Sequence, residues 1–162
     1  MKIKVRKEVV NCSVCKKHNE FWYLSDFSYG ERLVLYDNRR KYAYLNLLED
    51  KVYDDFLEIL TSVLEEIGRP IEITYIQILM DKIFAIACDK IQGTEVEFNC
   101  NKKCISCDSD KFEELLIKPE TIEIVELPIV THEEWAKVPD AIKKEKIINA
   151  IKKSCSAGEY HY

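Results

Sequence analysis

"NCSVCKKHNEF" (residues 11–21) and "NCNKKCISCDSDKF" (residues 99–112) decide how this chain is read. Each holds a C-x-x-C pair, Cys12 with Cys15 and Cys104 with Cys107, followed by a polar bend and a phenylalanine, Phe21 or Phe112. A C-x-x-C turn brings two sulfurs to one tight bend, where backbone amides can donate to them. Two such turns supply four thiolates, the set that a structural zinc takes at Zn–S distances of about 2.3 Å. The expected site is therefore Cys12, Cys15, Cys104 and Cys107 around one structural Zn2+.

The quasi-repeat of the two segments is similar to the paired knuckles of a zinc ribbon, over about ten residues at each. The resemblance implies a closed metal site with no open position for water, structural rather than catalytic. Ribbon pairs usually stand about 15–20 residues apart, whereas 88 residues separate Cys15 from Cys104. The intervening segment then has to be a folded body whose ends meet at the metal. Loop-closure entropy rises only with the logarithm of length, so the insertion is tolerable. Other ligand sets stay open: His18 with Cys12, Cys15 and part of the second cluster, or Cys100 in place of one thiolate. A redox C-x-x-C wants its first cysteine at a helix N-terminus in a βαβ unit, and neither pair sits in such text. Unrelated thiols are the remaining alternative. Cys88, beside Ala87 in an apolar helical pattern, reads as core packing, and Cys155 as incidental.

Length and composition fit that frame. A chain of 162 residues, 47% hydrophobic and 33% charged, can bury one core and is too poor in Gly and Pro for disorder. No apolar run approaches the ~20 residues that span a bilayer. The opening "MKIKVRKEVV" lacks the apolar stretch of a signal peptide. The expected compartment is the reducing cytoplasm, where paired cysteines bind metal more often than they form disulfides. Seven cysteines, an odd number, also fit a complete disulfide framework poorly.

Patterning predicts an α+β fold: an antiparallel β meander, two central helices and a C-terminal helix. Lys2–Val10 alternates as a strand into the first knuckle, and Phe21–Leu48 is rich in aromatic and β-branched residues broken by turn signals. Tyr53, Phe56, Leu57, Leu60, Val63, Leu64 and Ile67 share one helix face that stops at Gly68. A second helical pattern runs from Ile76 to Ile91, with an uncertain start in "IEIT". Thr94–Phe98 reads as a strand into the second knuckle. Residues 111–130 read as a short helix or extended piece, then a strand at Thr121–Leu127. "THEE" (131–134) reads as a capping box, with His132 a solvated neighbour. A last helix runs from Pro139-Asp140 to about Ser154, with Ile142, Ile148 and Ile151 inward. The expected organisation is a single domain over 1–162. Knuckle segments 8–20 and 98–112 flank an α/β insert at 21–97, and a strand–helix tail occupies 119–155.

Charge separates the function classes. Residues 1–48 carry ten Lys/Arg against five Asp/Glu, residues 49–100 four against twelve, and residues 101–162 ten against twelve. The middle is thus −8, which argues against a protein built chiefly to hold nucleic acid. No P-loop, G-x-G-x-x-G, G-x-S-x-G or H-E-x-x-H motif occurs, so nothing points to an enzyme. The expected role is a non-enzymatic protein-binding module. Its acidic helix, with Asp54, Asp55, Glu58, Glu65 and Glu66, would meet a basic partner such as a toxin or nuclease, in the manner of an immunity protein or inhibitor. The alternative is a zinc-ribbon nucleic-acid binder or transcription accessory. That reading would use Lys16, Lys17, Lys102, Lys103 and "DNRRKYAY" (37–44), whose basic and aromatic residues interleave.

Overall fold

The computed structural model describes residues 1–26, 29–98 and 102–156, the side chains of 115, 116, 155 and 156 excepted. The fold is α+β, with six strands in antiparallel ladders and four helices among the described residues. Two compact units divide the chain: residues 1–48 with 100–130, and residues 49–99 with 131–162. The segment 21–97 is thus shared between units: its strands group with the knuckles and its helices with the C-terminal helix.

The first unit is organised by β1 (Lys2–Cys12), an eleven-residue strand. One edge of β1 pairs antiparallel with β2 (His18–Leu24), joined through the first knuckle. The other edge is shared by β5 (Phe112–Leu116) near Cys12 and β6 (Thr121–Glu126) near Lys2. The stretch after the second knuckle is therefore extended. Strand alternation sends Ile3 and Val5 to one face and Lys2, Lys4 and Arg6 to the other. Ile3 and Val5 are buried with Tyr44 and Leu127, and Trp22, Leu24, Leu33, Tyr42 and Val125 pack around them.

The expected meander breaks after β2. β3 (Glu31–Tyr36) and β4 (Lys41–Asn46) form a two-stranded sheet of their own. Three consecutive left-handed residues, Asp37, Asn38 and Arg39 (φ 53°, 54° and 64°), turn this hairpin. The hairpin is held by side chains and by one loop rather than by a shared ladder with β2. Trp22 stacks on Tyr42 with centroids 5.0 Å apart, and the Tyr44 N–H donates to the Pro128 carbonyl at 2.9 Å.

In the second unit, α1 (Lys51–Glu66) buries Phe56, Leu60, Val63 and Leu64, as its periodicity predicts. It ends in a Schellman motif. Gly68 (φ 67°) donates to the Glu65 carbonyl, and Arg69 to that of Leu64. α2 (Ile73–Ile83) stops eight residues before the expected Ile91 and tightens into a 3-10 turn, Phe84–Ala87. Thr94–Phe98 forms no strand; Thr94 bridges to Ile91, and Glu97 is a single bridge residue. α3 (Glu133–Ala136) and α4 (Asp140–Ser156) complete the unit. α4 buries Ile147 and Ile151, while Ile142 is exposed, contrary to the expected inward set.

The cause of the early stop is Asp89. Its carboxylate accepts from the Glu133 and Glu134 amides at 2.7 and 2.9 Å and from the Thr131 hydroxyl at 2.7 Å. Its own N–H donates to the Thr131 carbonyl at 2.8 Å. The amides at the start of α3 are capped from 44 residues away in sequence, so the expected Thr131–Glu134 capping box does not form. Holding Asp89 there draws the chain out of the helical path at Cys88, which is extended.

Candidate metal centre

Cys12 closes β1, Cys15 lies in the turn to β2, and Cys104 and Cys107 form the turn ahead of β5. The four Sγ atoms all lie within 4.8 Å of one another. Cys12 and Cys107 sulfurs are 3.6 Å apart, and those of Cys15 and Cys104 are 3.5 Å apart. A tetrahedron with ~2.3 Å Zn–S bonds has edges of about 3.8 Å, so the spacing suits a cation at the centre. The same distances exclude disulfides, which need sulfurs about 2.05 Å apart. Cys12 and Cys104 are buried, Cys15 is partly covered and Cys107 is exposed.

The two knuckles share one backbone design. In the first, Lys16 donates to the Cys12 carbonyl and Cys12 to that of Lys17, both at 2.9 Å; Lys16 is left-handed (φ 58°). In the second, Asp108 donates to the Cys104 carbonyl and Cys104 to that of Ser109, both at 2.8 Å; Asp108 is left-handed (φ 57°). The matched positions are four and five residues beyond the leading cysteine in each case. Cross-links between the knuckles follow the same pattern. The Ser13 N–H donates to the Lys111 carbonyl at 2.9 Å, and the Ile105 N–H to Asn19 Oδ1 at 3.1 Å. Ser13 and Ile105 each follow a leading cysteine, and Lys111 and Asn19 each stand seven residues beyond one. The two phenylalanines meet edge to face, Phe21 on Phe112, with centroids 5.1 Å apart.

Asn19 is the functional residue that sequence reasoning missed. It is buried, and its Nδ2 donates to the Lys17 carbonyl at 2.9 Å and toward Cys104 Sγ at 3.5 Å. One amide therefore supports a sulfur of the second knuckle and the backbone of both. The signal available in sequence was a polar residue at an inward strand position just past the first knuckle.

Electrostatics favours a shared cation. The Cys15 amide, then burial acting against it, then the Val14 amide set the Cys12 thiol below its ordinary value. At Cys104 burial opposes ionisation, but the Ser106 and Cys107 amides, with Cys15 and Asn19, outweigh it and bring the thiol to about 6. Cys107 goes the other way. The Ser109 amide pulls it down, yet burial and the other three sulfurs together push it up to about 12. Crowded thiolates thus retain a proton that a divalent cation would displace.

Among the described residues no alternative ligand joins the cluster. His18 is exposed and its Nδ1 lies 2.7 Å from Asn11 Oδ1, and it is outside the sulfur group. Cys100 lies outside the described residues, as does the Cys155 side chain. Cys88 bonds weakly to the Phe84 carbonyl at 3.9 Å, and burial, with Asp50 and Asp89 adding, pushes its thiol well above the ordinary range. His132 is not solvated. Its Nδ1 is 2.7 Å from the Ala87 carbonyl and its Nε2 is 2.6 Å from Asp50 Oδ2, a charge contact off the line of a good hydrogen bond. Both ring nitrogens face acceptors, so none is left to activate Cys88.

Four of the basic residues around the centre are engaged with carboxylates, while Lys17 is exposed and in no ion pair among the described residues. Lys16 pairs with Glu113 at 3.0 Å, Lys102 with Glu8 at 2.9 Å, and Lys103 and Arg39 with Asp108 at 3.5 and 2.8 Å. Tyr42 is stacked on Trp22 and Tyr44 is buried against Glu31, so these rings pack the hairpin instead of offering stacking platforms. No helix is long and apolar enough to cross a membrane among the described residues. No protein-family model, curated protein or solved structure matches the chain, and the four-sulfur geometry is the feature that characterises the site.

Proposed function

We propose that Cys12, Cys15, Cys104 and Cys107 hold one structural zinc ion, and that the chain is a non-enzymatic cytoplasmic recognition module for a basic protein partner. The observation that carries the first half is the tetrad, four sulfurs within 4.8 Å of one another from two knuckles of matched backbone geometry. Tetrahedral sulfur sets suit zinc or iron; the resemblance of the knuckles to those of a zinc ribbon supports zinc. Protein purified under reducing conditions without added metal should contain one equivalent of zinc. An apo protein, or a coloured iron-thiolate protein, would overturn the assignment.

Support for the second half comes from α1. Asp54, Asp55, Glu58 and Glu65 are exposed and in no ion pair among the described residues, while Glu66 is tied to Lys144 of α4. Engagement of Lys16, Lys102, Lys103 and Arg39 by carboxylates weighs against phosphate binding as the main role. A basic toxin or nuclease has the complementary charge, and rim charges act chiefly on association rate. Reversing Asp54, Asp55 and Glu58 to Lys should slow association with a captured basic partner by about tenfold or more at low salt, with metal content unchanged. Binding at the wild-type rate would remove α1 from the interface.

A further inference from the structure

The outer edge of β6 has no partner strand among the described residues. Met1 N donates to the Leu127 carbonyl at 2.7 Å, and Leu127 N to the Met1 carbonyl at 2.8 Å, which makes the two a hydrogen-bonded pair of the β1–β6 ladder. Such pairs recur at every second residue. With Ile3 opposite Val125, Val5 opposite Glu123 and Lys7 opposite Thr121, the backbone groups of Thr121, Glu123 and Val125 point to β1. Those of Ile122, Ile124 and Glu126 point away from it, to an edge that no strand among the described residues occupies. The side chains of Ile122 and Ile124 are 62% and 73% exposed. Edge strands are ordinarily guarded by lysine, proline or a bulge. Thr121–Glu126 contains no lysine, proline or bulge; its charges are Glu123, paired with Lys7 at 2.8 Å, and Glu126, and Pro119 and Pro128 only bracket it.

We propose that this edge pairs with the same edge of a second copy of the chain, antiparallel about a two-fold axis through Ile124. Charge selects the occupant and the register. With Ile124 opposite its own copy, Ile122 faces Glu126 and Glu123 faces Val125. No like charges oppose, and about six backbone hydrogen bonds form from the outward groups. Slipping the strands so that Ile122 faces Ile124 would set Glu123 against Glu123 and Glu120 against Glu126, which is unfavourable. Slipping the other way would set Ile122 against Pro128, which has no N–H to give. The favoured register gathers Ile122 and Ile124 of both copies into one apolar strip on the face that carries Lys4 and Arg6. The contact is isologous and closes on itself, so it stops at two copies.

Sedimentation equilibrium of the full chain, reduced and loaded with one equivalent of zinc, tests this. The wild type should have the mass of two 19.0 kDa chains. Ile124→Lys places lysine against lysine on the axis and should halve the mass, with an unchanged circular-dichroism spectrum. Ile122→Lys places lysine opposite Glu126 of the other copy and should remain dimeric. A one-chain mass for the wild type would overturn the proposal. So would a dimeric Ile124→Lys protein, or a one-chain mass for Ile122→Lys, since the register is the argument for self-pairing.

Discussion

Each unit of this protein is closed by one polar cluster, and the two clusters are built on opposite logic. In the first unit, Cys12, Cys15, Cys104 and Cys107 join two copies of one local turn. In the second, Asp50, Ala87, Asp89, Thr131 and His132 join three unlike segments: the start of α1, the end of the 3-10 turn and the start of α3. Asp50 has two tasks, since its Oδ1 caps α1 through the Val52 amide at 2.9 Å and its Oδ2 faces His132. The sulfur cluster gathers thiolates whose charge calls for a cation, whereas the Asp50 carboxylate and the His132 imidazole balance each other. The first should depend on an external component and the second on pH.

The largest expected effect breaks the first cluster. Cys104→Ser should abolish stoichiometric metal binding and unfold the first unit, because structural zinc contributes on the order of 10 kcal/mol in small domains. Metal analysis and circular dichroism would show it, and a variant that kept its metal would reassign the ligand. Chelation of the wild type should produce the same loss.

Breaking the second cluster should cost less and leave the metal in place. Asp50→Asn removes one partner of a buried ion pair and should destabilise the second unit by about 3 kcal/mol, measured by denaturant unfolding of the zinc-loaded protein. The same pair sets a pH window. Burial alone would lower the His132 pKa, but Asp50 and the Ala87 carbonyl outweigh it, with Asp89 adding, and raise it above 6.5. Its stabilisation is complete below the unfolded value and is lost as pH rises through the raised folded one. For Asp50, burial is outweighed by His132 and by the Val52 and Tyr53 amides, and its carboxyl lies below 3.8. Its contribution is present above the unfolded value and is lost as pH falls through the lowered folded one. Stability from this pair should therefore peak between roughly pH 4 and 6.5, and Asp50→Asn should flatten the profile above that window. A wild-type profile with no decline through neutral pH would sink the account.

A finer distinction comes from Asn19. Asn19→Ala should lower metal affinity about 10- to 100-fold, as loss of a supporting hydrogen bond typically does, without changing stoichiometry. Competition with a chelator of known affinity measures it. An unchanged affinity would mean that the Ile105 amide and Cys104 do not need that side chain. The smallest effect is expected from Lys144→Ala, which removes an exposed, solvent-screened ion pair with Glu66 and should leave the denaturant midpoint almost unchanged.

What could be read from the sequence follows the same division. The sulfur tetrad was legible because each C-x-x-C turn is local and repeats, whereas the edge-to-face contact of the two phenylalanines that follow the knuckles emerged only in the fold. The inward face of α1 and its glycine stop were legible for a similar reason, since periodicity and a left-handed cap act within one helix. The second cluster was hidden. A capping box read from Thr131 and Glu134 gave way to Asp89, whose claim on the same amides spans 44 residues and leaves no spacing signature. The end of α2 was misplaced for that reason, because the apolar pattern continues past the residue that pulls the chain aside. The break between β2 and β3 was equally invisible, because strand propensity says nothing of which edge a strand will join.

The position of the two knuckles has a consequence for how the chain would respond to being cut. With a metal bound, Cys15 and Cys104 close a ring containing the 88 residues between them. A protease that nicks a single bond in that ring opens the loop without releasing either piece. The segments on both sides of the nick stay tethered through sulfur, and they separate only when a chelator removes the ion or acid protonates the thiolates. Gel filtration of a nicked sample would thus give one peak with metal, and denaturing electrophoresis two bands.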